Sequence, residues 1–175
     1  MSVEIRLETP EDHADVRRVI AAAFDPEPVA DLVEAIRASE QYEPELVFVA
    51  LADGRIVGHV MISYATLETA DGDHRVAMLS PLAVEPEFQR QGIGTKLVHC
   101  ALDKARLMGD RMVVLEGDPS YYGRFGFEPS HLYGITLPLP SWATIDAGQV
   151  VWLSEPQRFD SATVVYPPAF ESVSE

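Results

Sequence analysis

The segment that most constrains the fold spans residues 78–116, where a strand, a turn with two glycines, a long helix and a second strand follow one another. Gly92 and Gly94 stand where the helix begins, and Gly109 stands just after its last turn, a position that glycine favours. The apolar residues of the helix recur at helical spacing, and they are Ile93, Leu97, Val98, Ala101, Leu102, Ala105 and Met108. A strand–helix–strand unit of this length predicts two parallel strands joined by a right-handed crossover.

The residues before this unit predict one strand, two helices and three antiparallel strands. Residues 3–7 alternate between apolar and polar, as a strand does, and Thr9-Pro10 is typical of a helix start. A second helix is predicted from about Pro28 to Ser39. Asp53-Gly54 and Asp71-Gly72 lie between apolar runs and therefore mark the turns that join the three strands.

The residues after the unit complete a mixed fold. Asp118 is typical of the cap of a short helix. The runs YGITLPL and QVVWLSE predict two strands. Roughly the last fifteen residues are expected to be irregular or to form a late edge strand. This order favours an α+β fold with a mixed, mainly antiparallel sheet of about 6–7 strands and helices on both faces. We expect one domain over residues 1–175, with a core at about 3–137 and C-terminal strands and a tail at 138–175.

Composition disfavours several classes of partner. The formal net charge of −15 opposes binding to nucleic acid and to anionic membranes, but it favours cationic partners such as amines. No apolar run approaches the roughly 20 residues that cross a bilayer, and the first residues are charged, so we expect a cytoplasmic protein. Cys100 is the only cysteine and the histidines lack ligand spacing, so we expect no intrachain disulfide and no metal.

Glycines between a strand and a helix indicate backbone N–H groups that face an anion. The dinucleotide-binding pattern G-x-G-x-x-G fails, because Leu97 stands three residues after Gly94. The pattern of nucleoside triphosphate loops fails as well, because Thr95 precedes Lys96, the reverse of the required order. A third type of phosphate-binding loop remains.

Residues 89–94, Gln-Arg-Gln-Gly-Ile-Gly, have the form Q/R-x-x-G-x-G/A, which resembles the acetyl-CoA signature of the GNAT superfamily of N-acetyltransferases. The strand LSPLAVEPEF lies immediately before this loop. The segment YYGRFGF follows downstream, where the family carries an aromatic residue, a tyrosine and a Gly-Phe pair. The opening helices and the antiparallel strands agree with the same family, so the resemblance covers about residues 3–137.

The resemblance implies that acetyl-CoA is bound as the acetyl donor. Its pyrophosphate would meet backbone N–H groups of the loop and the first helical turn, which are those of Gln89, Arg90, Gln91, Gly92, Ile93, Gly94 and Thr95. The preceding strand would splay from its parallel neighbour, and the pantetheine would pair with backbone groups of Leu82, Ala83 and Val84. Pro81 supports an irregularity at this place, because proline cannot donate to a strand ladder.

The same resemblance assigns Tyr122, four residues before the glycine of the Gly-Phe pair, as the general acid for the departing thiolate. A phenol with a reference pKa of about 10 is protonated at neutral pH and can donate. Glu116 closes a buried strand and is the preferred general base, because a carboxylate beside a cleft can take a proton through water. Glu85, Ser80 and His59 remain alternatives for the base.

Together these residues predict an N-acetyltransferase that moves an acetyl group to a primary amine of a small molecule or peptide. The alternative is a non-catalytic acyl-CoA-binding or regulatory domain, since the glycine loop serves both functions. Tyr122 favours the enzyme, whereas its neighbour Tyr121 is expected to pack in the core. The sequence leaves a homodimer open.

Overall fold

The computed structural model describes residues 2–24 and 28–173, which contain a nine-stranded sheet and four α-helices. The strands are β1 (Val3–Leu7), β2 (Val47–Ala52), β3 (Arg55–Thr69), β4 (Gly72–Val84), β5 (Met112–Glu116), β6 (Glu128–Pro129), β7 (Ile135–Thr136), β8 (Gly148–Trp152) and β9 (Ala162–Val165). The helices are α1 (His13–Ala23), α2 (Pro28–Arg37), α3 (Ile93–Leu107) and α4 (Pro119–Tyr122). None of these helices has both the length and the apolar character needed to span a membrane.

The sheet follows the order β1–β2–β3–β4–β5–β8–β6, with β9 beside β3 and β7 beside β9. Its neighbouring strands are antiparallel except in the pairs β4–β5 and β7–β9. The predicted mixed sheet is therefore confirmed, as is the parallel pairing of the two strands that α3 connects. The described residues give nine strands rather than about 6–7, because β6 has only two residues and is too short to show a strand period, and β9 lies in the part of the chain expected to be irregular or a late edge strand. Of the predicted strand YGITLPL, only Ile135–Thr136 forms a strand, β7.

The position of β9 differs from the expectation for the C-terminal residues. β9 pairs antiparallel with β3, with Val165 opposite Thr66, and pairs on its other side with β7. It is therefore an interior strand and not a late edge strand or an irregular tail. β9 and β2 pair with the same edge of β3, at different positions along that strand. In the stretch of β3 between them, the N–H of Tyr64 donates to the carbonyl of Gln41 at 3.3 Å.

Two apolar layers cover the two faces of the sheet. The α1–α2 layer packs those helices on one face around buried residues such as Val19, and the α3 layer packs α3 on the other face around residues such as Leu97. Along β5, Val114 belongs to the α1–α2 layer and Leu115 to the α3 layer. Because strand residues alternate between faces, Glu116 points to the side of the α1–α2 layer.

A buried polar cluster lies inside the α1–α2 layer. Glu8 accepts a 2.5 Å hydrogen bond from Arg37, and its carboxylate lies 3.7 Å from a ring nitrogen of His59 and 3.7 Å from one of His13. His59 has no exposed surface, and burial, followed by the charges of Arg37 and His13, lowers its pKa from 6.5 to about 3. Because Arg37 already pairs with Glu8, the nearby carboxylate does not offset burial, and His59 is neutral at physiological pH.

We predict that His59 makes the fold sensitive to acid. Between pH 6.5 and 3 the unfolded chain binds a proton at His59 that the folded chain excludes. The contribution of the neutral imidazole to folding stability is therefore complete above pH 6.5 and is lost as the pH falls. Protonation of His59 in the unfolded chain should lower the free energy of unfolding by about 2 kcal/mol between pH 7 and 5. Urea denaturation at a series of pH values measures this decrease.

His59→Gln should remove this part of the pH dependence, because glutamine does not titrate. His74→Gln is the matched control, since His74 is exposed. A His59→Gln protein that is as acid-sensitive as the wild type would contradict the prediction.

Candidate active site

The parallel strands β4 and β5 pair over only two residue pairs, Ala77–Val113 and Met78–Val114. Both strands then run on to their ends without further pairing to each other. β4 stays joined to β3, whereas β5 turns away together with β8. A cleft therefore opens between β4 and β5, and within residues 2–24 and 28–173 no strand pairs with the edge of β4 that faces it.

A bulge in β4 lies where the cleft begins. The register between β3 and β4 shifts between Val60 and Ile62, so that Ser80 and Pro81 lie opposite a single residue of β3. The peptide bond between Ser80 and Pro81 is cis. The irregularity that Pro81 predicted is therefore present.

The residues predicted to pair with pantetheine follow this bulge and border the cleft. Ala83 faces the α1–α2 layer, whereas Leu82 and Val84 pack against the α3 layer. The side-chain amide of Gln89 donates to the carbonyl of Val84 at 2.9 Å. Gln89 therefore ties the glycine turn to the end of β4, a contact that the sequence motif alone does not reveal.

The turn between β4 and α3 contains two left-handed residues, Arg90 with φ 63° and Gly92 with φ 84°. A Cβ on Gly92 would meet no atom within 4 Å, so the backbone angle and not crowding favours glycine here. In the part of the chain that the structure describes, the N–H groups of residues 90–95 have no protein acceptor, and the helix ladder begins with Lys96 donating to Gly92 at 3.1 Å. These free donors and the positive end of the helix suit an anion.

A close contact explains the second glycine. A Cβ on Gly94 would lie 2.6 Å from the hydroxyl oxygen of Tyr121, and 3.8 and 3.9 Å from side-chain atoms of Val84 and Leu82. Gly94 therefore lines the cleft together with these three residues. Tyr121 is half-buried with its hydroxyl at the start of α3, so the expectation that it only packs in the core is wrong.

Three cationic side chains lie near the start of α3, although the chain has 28 acidic and 13 basic residues. Arg90 and Lys96 are exposed on the turn and the first helical turn. Arg124 lies over the ring of Tyr121 at 4.5 Å and donates to its carbonyl at 3.0 Å. Among residues 2–24 and 28–173, no carboxylate forms an ion pair with any of the three cations. This local positive charge in an acidic molecule favours a phosphate-bearing ligand.

Tyr122 ends α4, whose cap Asp118 accepts a backbone hydrogen bond at 2.9 Å as predicted. A Cβ on Gly117 would lie 2.6 Å from the Tyr122 ring, so this glycine lets the ring approach the end of β5. The ring makes edge-to-face contacts with Tyr121 and Phe127, at 4.9 and 5.8 Å between centroids. Burial, followed by Tyr121, raises the pKa of Tyr122 to about 12, so its hydroxyl keeps its proton at neutral pH.

Glu116 ends β5 at the cleft, on the side of the α1–α2 layer, and is exposed. Its Oε2 accepts a hydrogen bond from the hydroxyl of Tyr166, the residue directly after β9. Burial, followed by this hydrogen bond and the charge of Glu116, raises the pKa of Tyr166. The two residues are 50 positions apart, and no sequence pattern indicates their contact.

The alternatives for the general base occupy different environments. Glu85 is buried and forms ion pairs with Arg18 and Arg55, so its carboxylate is already engaged. His59 lies inside the buried polar cluster with no exposed surface. Two candidates for the general base remain beside the cleft, and they are Ser80 in the bulge and Glu116, whose exposed carboxylate ends β5.

The same architecture occurs in known acetyltransferases. A family model described as an acetyltransferase (GNAT) domain matches residues 4–130 of the chain. The uncharacterized N-acetyltransferase YjhQ of Escherichia coli K12 is 37% identical over 118 residues, which span 67% of this chain and 65% of that protein. The chain therefore belongs to the GNAT family of acyltransferases, as the loop motif implied.

Two solved structures extend the similarity beyond the region that the family model matches. The GNAT N-acetyltransferase YhbS of Escherichia coli, solved in complex with CoA, superimposes with a TM-score of 0.83 at 28% identity over 97% of this chain and 92% of that one. A GNAT acetyltransferase of Brucella melitensis, solved with acetyl-CoA, gives a TM-score of 0.76 at 30% identity over 97% and 98% of the two chains. The predicted fold is thereby confirmed.

We predict that Glu85 is structural. Glu85→Gln removes the charge that two arginines contact, and because both arginines are partly exposed the loss should be only about 1–2 kcal/mol of unfolding free energy in urea. Turnover per folded molecule should stay at the wild-type value. Glu87→Gln, an exposed neighbour, is the control and should change neither quantity. Wild-type stability with lost turnover in Glu85→Gln would make Glu85 the base.

Proposed function

We propose that this enzyme transfers the acetyl group of acetyl-CoA to a primary amine of a small molecule or peptide. The observation that carries the proposal is the cleft between β4 and β5, which is bordered by the free N–H groups of residues 90–95 and by Tyr122 and Glu116. An anion site, an unpaired strand edge and two groups able to move protons are what acetyl transfer from CoA needs. The complexes of YhbS with CoA and of the Brucella protein with acetyl-CoA support the donor.

In this proposal the donor is held mainly by backbone groups. The pyrophosphate accepts from the free N–H groups of residues 90–95, which are Arg90, Gln91, Gly92, Ile93, Gly94 and Thr95. The predicted N–H of Gln89 is not among them, because it donates to the carbonyl of Pro86 at 3.3 Å. Lys96 and Arg124, with Arg90, add positive charge at the same place. The pantetheine follows the free edge of β4 at residues 82–84. The N–H of Glu85 donates to the carbonyl of Val57 in β3 at 2.8 Å, so in the antiparallel ladder the backbone groups of Ala83 also face β3. The backbone groups of Leu82 and Val84 face the cleft, and because Gln89 already donates to the carbonyl of Val84, we assign most of the amide pairing to Leu82.

The chemistry forms a bond between the amine nitrogen and the acetyl carbon and breaks the bond between that carbon and sulfur. The backbone N–H groups of Leu82 and Val84, which face the cleft, stabilise the thioester oxygen as negative charge develops on it. Tyr122 gives its phenolic proton to the departing CoA thiolate and recovers a proton from solvent. Glu116 takes the proton of the amine, directly or through water, because its carboxylate is exposed at the end of β5.

We propose that residues 1–175 form one domain, because β8 and β9 of the C-terminal part pair with β5 and β3 of the core. A net charge of −15 opposes nucleic acid and anionic membranes as partners. We propose that the enzyme acts in the cytoplasm, as a monomer or a homodimer. Incubation with acetyl-CoA and a panel of aminoglycosides, polyamines, amino acids and peptides, followed by detection of the CoA thiol, identifies the acceptor.

We predict that Gly94→Val weakens acetyl-CoA binding by about 10–100-fold, because the new side chain fills the cleft and removes one or two hydrogen bonds to a charged phosphate. The fold should stay cooperative, since the nearest atom is the tip of Tyr121, which can rotate away. Calorimetry measures the affinity. Gly123→Ala is the control, because a Cβ there meets nothing within 4 Å and its φ is −56°. Equal affinity in a folded Gly94→Val protein would refute the loop assignment.

We predict that Tyr122→Phe lowers kcat about 10²–10⁴-fold, the usual contribution of a general acid, with little change in the affinity for acetyl-CoA. The ring and its contact with Gly117 are kept, so only the proton is lost. Tyr121→Phe should instead change the KM for acetyl-CoA, because that hydroxyl lies at the start of α3. Steady-state kinetics with an amine from the panel distinguish the two tyrosines. Wild-type kcat in Tyr122→Phe would show that Tyr122 is structural.

A further inference from the structure

Tyr166 connects the C-terminal residues to the candidate active site. It directly follows β9, and the pairing of Val165 with Thr66 of β3 fixes where the chain leaves the sheet. The Tyr166 side chain packs against the α1–α2 layer, and its ring lies 5.2 Å from that of Phe170 between centroids. Its hydroxyl donates to Oε2 of Glu116. A side chain anchored on β3 thus reaches across to the end of β5.

The residues after Tyr166 restrict its position further. Pro167 and Pro168 follow directly, and a residue before proline is confined to extended conformations. Pro167 is buried, and the 3-10 helix Pro168–Val173 packs against α2. The Tyr166 backbone therefore has little freedom to lose when its hydroxyl binds the carboxylate.

The hydrogen bond uses one of the two carboxylate oxygens. Oε2 of Glu116 accepts from Tyr166, whereas the described residues provide no donor to Oε1. Burial and the adjacent carboxylate keep the phenolic proton in place by raising the pKa of Tyr166. Tyr166 therefore donates to the carboxylate and does not itself accept a proton from the amine.

We propose that Tyr166 is a positioning residue for acetyl transfer, which holds the Glu116 carboxylate by Oε2 so that Oε1 faces the amine or the water that carries its proton. This inference rests on the proposed function, in which Glu116 is the general base. It also makes the segment from Tyr166 to Phe170 one wall of the acceptor site, on the side of the sheet opposite to α3.

The test is Tyr166→Phe, which keeps the ring and its packing on Phe170 and removes only the hydroxyl. Propylamine is the acceptor probe, and release of the CoA thiol is followed at saturating acetyl-CoA. We expect kcat/KM for propylamine to fall about tenfold with an unchanged KM for acetyl-CoA. The loss should appear in kcat and not in the KM for propylamine, because the contact holds the base and does not bind the amine. In a Glu116→Gln background, Tyr166→Phe should cause no further loss.

Tyr133→Phe is the matched control. Its hydroxyl also donates to a glutamate, Glu128, and its ring packs on Trp152, so the variant removes the same type of contact at a different place. It should leave kcat and the KM for propylamine unchanged. Tyr166→Phe with the wild-type kcat, or an equal loss in Tyr133→Phe, overturns the inference while the proposed function stands. A wild type that binds acetyl-CoA but acetylates neither propylamine nor any amine of the panel overturns both.

Discussion

The candidate active site depends on the short pairing between the parallel strands β4 and β5. Two residue pairs hold these strands together, after which β4 stays with β3 and β5 leaves with β8. If the pairing continued to Val84, the backbone groups of residues 82–84 would be used within the sheet and no cleft would exist. The bulge at Ser80 and Pro81 makes the separation possible, because two residues opposite one bend β4 away from a regular ladder.

The two glycines of the turn have different physical reasons, which the motif alone does not separate. Gly92 is favoured by a left-handed backbone angle, whereas a Cβ on Gly94 would enter the cleft and lie 2.6 Å from the hydroxyl of Tyr121. Both glycines keep the turn accessible to a ligand. Residues 90–95 keep their N–H groups free, and the surface above them stays open to an anion.

Local patterns predicted the parts of this molecule that depend on neighbours in the chain. The hairpin at Asp53-Gly54, the start and end of α3 and the cap at Asp118 all follow from a few adjacent residues, and the structure has each of them. The cleft-lining role of Tyr121 and the interior position of β9 were not predictable in this way. They depend on contacts between distant segments, such as that of Gly94 with Tyr121, which leave no periodic signal in the sequence.

The pairing of β9 with β3 has a consequence for the biogenesis of the protein. Thr66 emerges from the ribosome well before Val165. Until β9 is synthesised, β3 has an unpaired edge at residues 66–68, beyond the contact of Tyr64 with Gln41. Such edges are templates for association with other chains, so a nascent or C-terminally clipped protein exposes a risk of aggregation that the finished one hides. The same delay means that the hydrogen bond between Tyr166 and Glu116 forms only after translation has reached Tyr166.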